Sequence, residues 1–323
     1  MRTDKDEIVI RVPGSIANLG PGFDTLAVAV QLYLTLHVRV LPGKGDLRFE
    51  FVNQRLDGEN YIERAFRFIA DRYNYPIPSL DIKVESDIPM KGGLGSSAAA
   101  TVAGLRLFEA IASPLVGHHV RPIDEQVLLT TACELEGHPD NIAAALLGGL
   151  TVSCEVPGAL RVLRAIWPES LAIVVVTPEQ HLATKASRAV LPEMISRADA
   201  IFNVQRVAFL LEALRTSDFA LLREALEDRL HQPYRVAIVP GLKEALELRH
   251  PSLLGVCLSG AGPSIVALAQ QNLDEISALL SEIFIRKSLP FRIQTLLAHP
   301  THGKTPAALQ ARSCCAEAGS WKA

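Results

Sequence analysis

The chain has 323 residues, 49% of them hydrophobic, enough for one large or two medium domains with packed cores and too apolar for a disordered chain. Lys and Arg number 32 against 35 Asp and Glu, for a formal net charge of −3, with no run of five basic residues and only 6% aromatics. This argues against a generally basic nucleic-acid binder with stacking platforms, although not against a single basic pocket. The five cysteines (Cys133, Cys154, Cys257, Cys314, Cys315) are odd in number and lack zinc spacing, and no apolar leader or membrane-length run occurs. The expectation is therefore a soluble, cytoplasmic protein with reduced thiols that binds neither membrane nor nucleic acid.

Ile8 to Val12 alternates as a strand and stops at Pro13-Gly14. The loop Ser15 to Asp24 follows, with Gly20, Pro21 and Gly22. Asn18 and Asp24 read two ways there: as turn residues bonding the local backbone, or as polar groups of a pocket. Tyr33–Leu41 and Leu47–Val52 read as strands. Asn60–Tyr73 has helical spacing, with Ile62, Ala65, Phe66, Phe68 and Ile69 on one side. A short strand, Leu80–Val84, leads into Ile88-Pro89-Met90-Lys91-Gly92-Gly93-Leu94-Gly95-Ser96-Ser97-Ala98-Ala99-Ala100. Glycines let backbone approach a ligand, and the start of a helix over about Ser97–Ile111 presents unpaired N–H groups and a positive dipole end. That combination suits a phosphate. A plain turn with a serine N-cap would look the same.

A second helix, Ile123–Glu136, ends in Glu134-Leu135-Glu136-Gly137-His138-Pro139-Asp140-Asn141. Too few nitrogen or sulfur ligands are present for zinc, whereas carboxylates beside hydroxyls and phosphate oxygens suit Mg²⁺. Alternatively the loop is solvated and Asp140 caps the next helix. A strand follows Gly148-Gly149, and Ala172–Thr177 is a β-branched core strand. Thr184, Lys185 and Arg188 begin a helix-like segment. Met194–Leu230 is helical twice, broken near Thr216-Ser217-Asp218, and a polar knot, His231-Gln232-Pro233-Tyr234-Arg235, closes it. Ser259-Gly260-Ala261-Gly262 turns between two apolar strands, and Leu273–Ile285 is an amphipathic helix. The run Ala298-His299-Pro300-Thr301-His302-Gly303-Lys304-Thr305 superficially matches a P-loop. It lacks the first glycine, carries an internal proline, and has Pro306 where a helix must start.

Three loops in order, around Asn18, Gly93–Ser97 and Gly260–Gly262, resemble the GHMP kinase superfamily, whose phosphate loop reads Pro-x-x-x-Gly-Leu-Gly-Ser-Ser-Ala, met here from Pro89 to Ala98. The blocks Ala17-Asn18-Leu19-Gly20-Pro21-Gly22-Phe23-Asp24, Glu136-Gly137-His138-Pro139-Asp140-Asn141 and His231-Gln232-Pro233-Tyr234-Arg235 are similar to those of its homoserine kinases. The likeness covers about residues 8 to 290. It implies an α+β fold in two halves, an N-terminal ribosomal S5 domain 2-like unit and a C-terminal ferredoxin-like unit. We place these at 1–155 and 156–295, with an irregular tail at 296–323. It also implies transfer of the ATP γ-phosphate to the side-chain hydroxyl of L-homoserine, on the way to threonine, by an enzyme that is often a homodimer.

On that resemblance, Pro89, Lys91, Gly92, Gly93, Leu94, Gly95, Ser96, Ser97 and Ala98 hold ATP, with Ser259, Gly260, Ala261 and Gly262 as a supporting loop. Ser97 with Glu136 or Glu134 holds Mg²⁺. Arg188 and Arg235 take the substrate carboxylate bidentately, Asp24 the ammonium, and Asn18 and Thr184 complete the substrate pocket. Asn141 orients the hydroxyl, and with Arg188 and Arg235 forms the catalytic set. Two departures stand out: Ile16 where small residues are usual, which would crowd the pocket, and a chain past about Arg292 unlike the closing strand. The alternatives are a GHMP kinase for another alcohol, such as mevalonate, and a non-catalytic ATP or amino-acid sensor.

Overall fold

The structure, a computed structural model, describes residues 7–56, 58–115, 123–157, 159–180 and 182–301. Cys314, Cys315, the tail from residue 302 and the Gly303-Lys304-Thr305 end of the P-loop-like run lie outside the described residues.

The first half of the chain builds β1 (Ile8–Ala17), β2 (Leu26–Lys44), β3 (Leu47–Phe51), α1 (Tyr61–Arg72), β4 (Pro78–Ser86), α2 (Ser96–Leu115), α3 (Glu125–Glu136), α4 (Asp140–Leu147), β5 (Leu150–Val156) and β6 (Ala159–Ala165). The strands form one sheet in the order β3-β4-β2-β5-β6, with β1 also paired to β2. Only β3 and β4 run parallel. Strand β2 is its spine, because Leu32, Leu34, Leu36 and Val38 alternate into the core while Gln31 and Arg39 face out. Helix α1 is started by the Asn60 side chain, which accepts from the N–H groups of Ile62 and Glu63, and it buries Ile62, Ala65, Phe66, Ile69 and Ala70. Phe68, expected on that buried side, is instead exposed under the Arg72 guanidinium. Helix α2 lies against α1, β1, α3 and α4, so the first turn of α2 is fixed from several sides.

The second half builds β7 (Ala172–Pro178), α5 (Thr184–Ala189), α6 (Arg197–Thr216), α7 (Leu222–Ala225), α8 (Gln232–Arg235), α9 (Leu242–Glu247), β8 (Leu253–Leu258), β9 (Ile265–Ala269), α10 (Leu273–Arg286) and β10 (Phe291–Leu296). Its sheet runs β10-β7-β9-β8, antiparallel throughout. Helix α10 packs Ile276, Leu280, Ile283 and Phe284 against it.

Two expectations change. Strand β6 extends the first sheet to Ala165, ten residues beyond the boundary placed at 155. The chain past Arg292 does form a closing strand, with β10 paired to β7 from Phe291 opposite Pro178 to Leu296 opposite Ile173. Beyond it, Leu297–Thr301 crosses back to the first sheet, with an isolated bridge between Val30 and Ala298. The Gln31 N–H donates to the Leu297 carbonyl (3.0 Å), the His299 N–H to Ala29 (2.8 Å) and the Gly149 N–H to His299 (2.9 Å). The Tyr33 hydroxyl meets His299 Nδ1 at 3.0 Å. Both missed strands are sheet edges with mixed polar faces, which weakens the alternation that marks a strand.

Candidate active site

The three glycine-bearing loops converge where the two halves meet. Ser259 Oγ donates to the Gly93 carbonyl (2.6 Å), the Ser264 N–H to Gly92 (3.1 Å), and the Gly260 N–H to Ala17 (3.0 Å). Asn18 Nδ2 donates to the Gly260 carbonyl (2.9 Å), and Asn18 Oδ1 accepts the Asp24 N–H (3.0 Å). Asn18 therefore braces its loop and also lines the cavity. Gly93 has φ +79°, and a Cβ there would stand 2.7 Å from the carbonyl oxygens of both Ser259 and Gly262. Only glycine combines that backbone with that approach.

A cavity of about 620 Å³ opens at this junction. Asn18, Asp24, Lys91, Gly93, Gly95, Ser96, Ser97, Ala98, Glu136, Asn141, Thr184, Arg188, Arg235, Gly260, Ala261 and Gly262 all line it. Pro89, Gly92 and Leu94 do not. Leu94 is buried in the core, and Pro89 and Gly92 face a groove on the other side of the phosphate loop. Ser259 acts through its bond to Gly93. Ile16 is fully buried opposite Val28 and is absent from the cavity wall, so the expected crowding does not occur.

Helix α2 begins at Ser96, preceded by Gly95 at φ +73°. The expected serine cap is therefore not formed: the residue before the helix has no side chain to give, and the serines lie within the first turn. Ser97 Oγ donates instead to the Glu136 carboxylate (2.8 Å), which also accepts from Thr101 Oγ1 (2.7 Å). Ser96, Ser97 and Ala98 of that first turn line the cavity, where the N–H groups of a helix start suit an anion. Glu134, two residues away on α3, is ion-paired to Arg72 on the outer surface (2.7 Å). Of the two glutamates, Glu136 is the one beside Ser97.

Asp140 is the first residue of α4 rather than its cap, the cap position being Pro139. Its Oδ1 accepts the Asn141 N–H (2.7 Å) and Asn141 Nδ2 (3.2 Å). Asn141 Oδ1 in turn accepts from Ser15 Oγ (2.8 Å), so both ends of the carboxamide are held. Burial, reinforced by the Asp24 charge, raises the Asp140 carboxyl above its ordinary value, against the pull of the Asn141 N–H, His138 and Arg188.

Asp24 and Arg188 form a bidentate pair at 2.6 and 3.0 Å. Arg235 is 1% exposed. Its Nη1 donates to the Gly260 carbonyl (3.0 Å) and to His231 Nδ1 (2.9 Å), and its Nε to Ser187 (3.3 Å). Burial, with the Arg188 charge next, lowers its guanidinium to about 10, so it stays charged at neutral pH. The Phe23 ring lies 5.5 Å from the Arg188 guanidinium carbon and 5.4 Å from that of Arg235.

Sequence reading missed Ser15, Phe23 and the apolar end of the cavity. That end is formed by Phe51, Leu56, Tyr61, Val84 and Met90, with Asn53 and Gln54. Phe51 and Val84 read as ordinary strand core, whereas Leu56 and Met90 fall in loops, and the neighbouring polar pair Asn53-Gln54 is the signal that could have marked an opening.

The sequence matches the family model described as GHMP kinases N terminal domain over residues 60–149 and that described as GHMP kinases C terminal over residues 210–285. It is 40% identical over 281 residues to a homoserine kinase of Solibacter usitatus, covering 85% of this chain and 89% of that protein. The chain belongs to the homoserine kinase family of the GHMP kinases. A Moorella thermoacetica homoserine kinase is 36% identical over 303 residues, 91% of this chain and 98% of that one. The crystal structure of homoserine kinase from Cytophaga hutchinsonii superposes with a TM-score of 0.79 at 25% identity, covering 93% of this chain and 97% of that one. A Lactococcus lactis galactokinase complexed with galactose shares the fold alone, at 15% identity, TM-score 0.66, and coverage of 91% and 94%. The two-half α+β architecture is thus that of the GHMP kinases.

Proposed function

We infer that the chain is an ATP-dependent kinase that phosphorylates the side-chain hydroxyl of L-homoserine. The observation that carries this is a single cavity lined both by the start of α2 and by Arg188, Arg235 and Asp24. One end suits a triphosphate and the other a zwitterion. The apolar end around Phe51, Tyr61 and Met90 accommodates the adenine, which leaves the phosphates to the Gly93–Ala98 backbone. Arg235 and Arg188 bind the carboxylate, Asp24 binds the ammonium, and Asn141, held by Ser15 and Asp140, orients the hydroxyl toward the γ-phosphorus. Phosphoryl transfer requires mainly such positioning and charge stabilisation.

Ser97 Oγ and the Glu136 carboxylate form an oxygen donor pair on the cavity wall, which fits Mg²⁺. Among the described residues no group of three or more His, Cys, Asp or Glu could hold a metal by itself. A cation here would therefore share the two side chains with phosphate oxygens and water. When bound, Mg²⁺ neutralises charge building on the phosphates. Glu136→Gln is expected to raise the Mg²⁺ concentration for half-maximal activity by at least about tenfold, while Glu134→Gln leaves it unchanged. An Mg²⁺ titration of both variants checks this.

A coupled ADP-release assay with L-homoserine, L-serine and mevalonate tests the substrate. Fastest ADP release with L-homoserine is expected. Release with mevalonate alone would overturn the substrate, and thermal stabilisation by ATP without turnover of any alcohol would favour a sensor. The compartment we propose is the cytoplasm; among the described residues no helix is long and apolar enough to cross a membrane. We propose a homodimer, supported by the exposed Ile201, Val204 and Phe209 of α6, with sedimentation equilibrium as its check. We place the division between the two halves between Ala165 and Ala172, where the first sheet ends and the second begins.

A further inference from the structure

His231 is fully buried and lies between the two substrate-facing parts of the site. Its Nε2 is 2.8 Å from the carbonyl of Gly20, in the loop that carries Asn18 and Asp24. Its Nδ1 is 2.9 Å from Arg235 Nη1. The Gly20 carbonyl can only accept and the guanidinium can only donate. These partners therefore require one protonation state, a neutral ring with the proton on Nε2 and the lone pair on Nδ1.

The surroundings hold the ring in that state and that place. Phe23 stacks on it, with centroids 5.2 Å apart and planes at 25°. The charged groups facing it are Asp228, whose Oδ2 is 3.5 Å from Nε2, then Arg235 and Asp24. Asp228 is already committed: it accepts from the N–H groups of Leu230, His231 and Gln232 and from Asn203 Nδ2. Gln232 Oε1 accepts the Leu258 N–H (2.8 Å), which ties the same turn to β8. Burial lowers the imidazole to about 4, with Asp228 opposing, so the ring is neutral across the working pH range.

We propose that His231 is a positioning residue for the reaction: its neutral Nδ1 holds the Arg235 guanidinium at the substrate carboxylate, and its Nε2–H ties that guanidinium to the Asn18–Asp24 loop. Arg235 Nη1 has two protons, one for Gly20's partner ring and one for the Gly260 carbonyl. With Nε on Ser187, this leaves Nη2 as the part of the fork that no described residue engages. An imidazolium in the same place would set a proton against Nη1 and push the arginine away. The inference rests on the reading of Arg235 as carboxylate anchor.

Two variants and one spectrum test it. His231→Phe keeps a ring against Phe23 and removes both nitrogens, whereas His231→Asn keeps an acceptor near the Nδ1 position. The expected result is a KM for L-homoserine raised about tenfold or more in His231→Phe and restored to within about threefold in His231→Asn, with the KM for ATP unchanged in both. Equal rises in the two variants, or a KM for ATP that moves in step, would overturn the proposal. If the variants do not fold, ¹⁵N NMR of the histidine-labelled wild-type protein decides: a neutral His231 with its proton on Nε2 at pH 7 supports the relay, and Nδ1–H or an imidazolium sinks it. The spectrum needs no substrate, so a failure of the homoserine reading in the ADP assay is separate from a failure of the relay.

Discussion

Arg235→Ala is expected to lower kcat/KM for L-homoserine by about a hundredfold to a thousandfold. The side chain is almost completely buried and serves three acceptors on three segments: Ser187 after α5 begins, His231 before α8, and Gly260 in the second-half loop. Truncation removes the charge that we propose meets the substrate carboxylate and strands buried acceptors at the same time. The loss should fall mainly on the KM for homoserine, because the phosphate loop is held by Ser259 Oγ on the Gly93 carbonyl and by the Ser264 N–H on Gly92, bonds that Arg235 does not share. Asp140→Asn is the contrasting case, with a loss below about tenfold. Its carboxamide oxygen can still accept the Asn141 N–H, and the change removes a negative charge that burial already disfavours. Steady-state rates of the pair decide the point. Comparable losses above a hundredfold would instead make Asp140 the base that takes the hydroxyl proton.

Gly93→Ala should cost about a hundredfold in kcat/KM for ATP, the scale expected when reacting groups are misplaced by about an ångström. The methyl group would meet the Ser259 and Gly262 carbonyl oxygens at 2.7 Å, and the backbone at φ +79° is unfavourable for alanine in any case. Neither carbonyl can retreat freely, since Gly262 sits in the turn that ties Ser259 to Ser264. Gly45→Ala separates the two causes. Gly45 has φ +82° but nothing within 4 Å of the added Cβ. It should lose only the left-handed backbone preference, about 1 kcal/mol of stability, with ATP kinetics unchanged. Measuring KM for ATP and thermal stability in both variants distinguishes steric displacement of the loop from simple backbone strain.

The loops that line the cavity were legible because glycine, proline and short polar residues punctuate the chain where backbone must turn or approach another segment closely. What the sequence leaves open is which way a side chain faces. Glu134 and Glu136 are two positions apart on a helix, about 200° around its axis, so one of them must face away from whatever the other meets. Spacing alone does not say which; the packing of α3 on α2 does. The same holds for Ile16, which reads as an intruder beside Asn18 but points to the core opposite Val28. The apolar end of the cavity was hidden for a different reason, since Phe51 and Val84 read as strand core whether they meet protein or ligand. Asp24 and Arg188 were each assigned to the substrate, yet only the folded chain brings residues 164 positions apart into a bidentate pair.

The return of Leu297–Thr301 to the first sheet has a consequence for synthesis. Ala29 and Gln31 receive their last backbone partners from a segment made some 270 residues later, with Tyr33 and His299 separated by 266 positions. Emerging in order from the ribosome, the first half can collapse around β2 and α2 but stays unfinished at Ala29–Gln31 and at Gly149. The site between the halves is therefore assembled only near the end of translation. A nascent chain stalled before residue 297 would show an exposed strand segment as a ready target for chaperones.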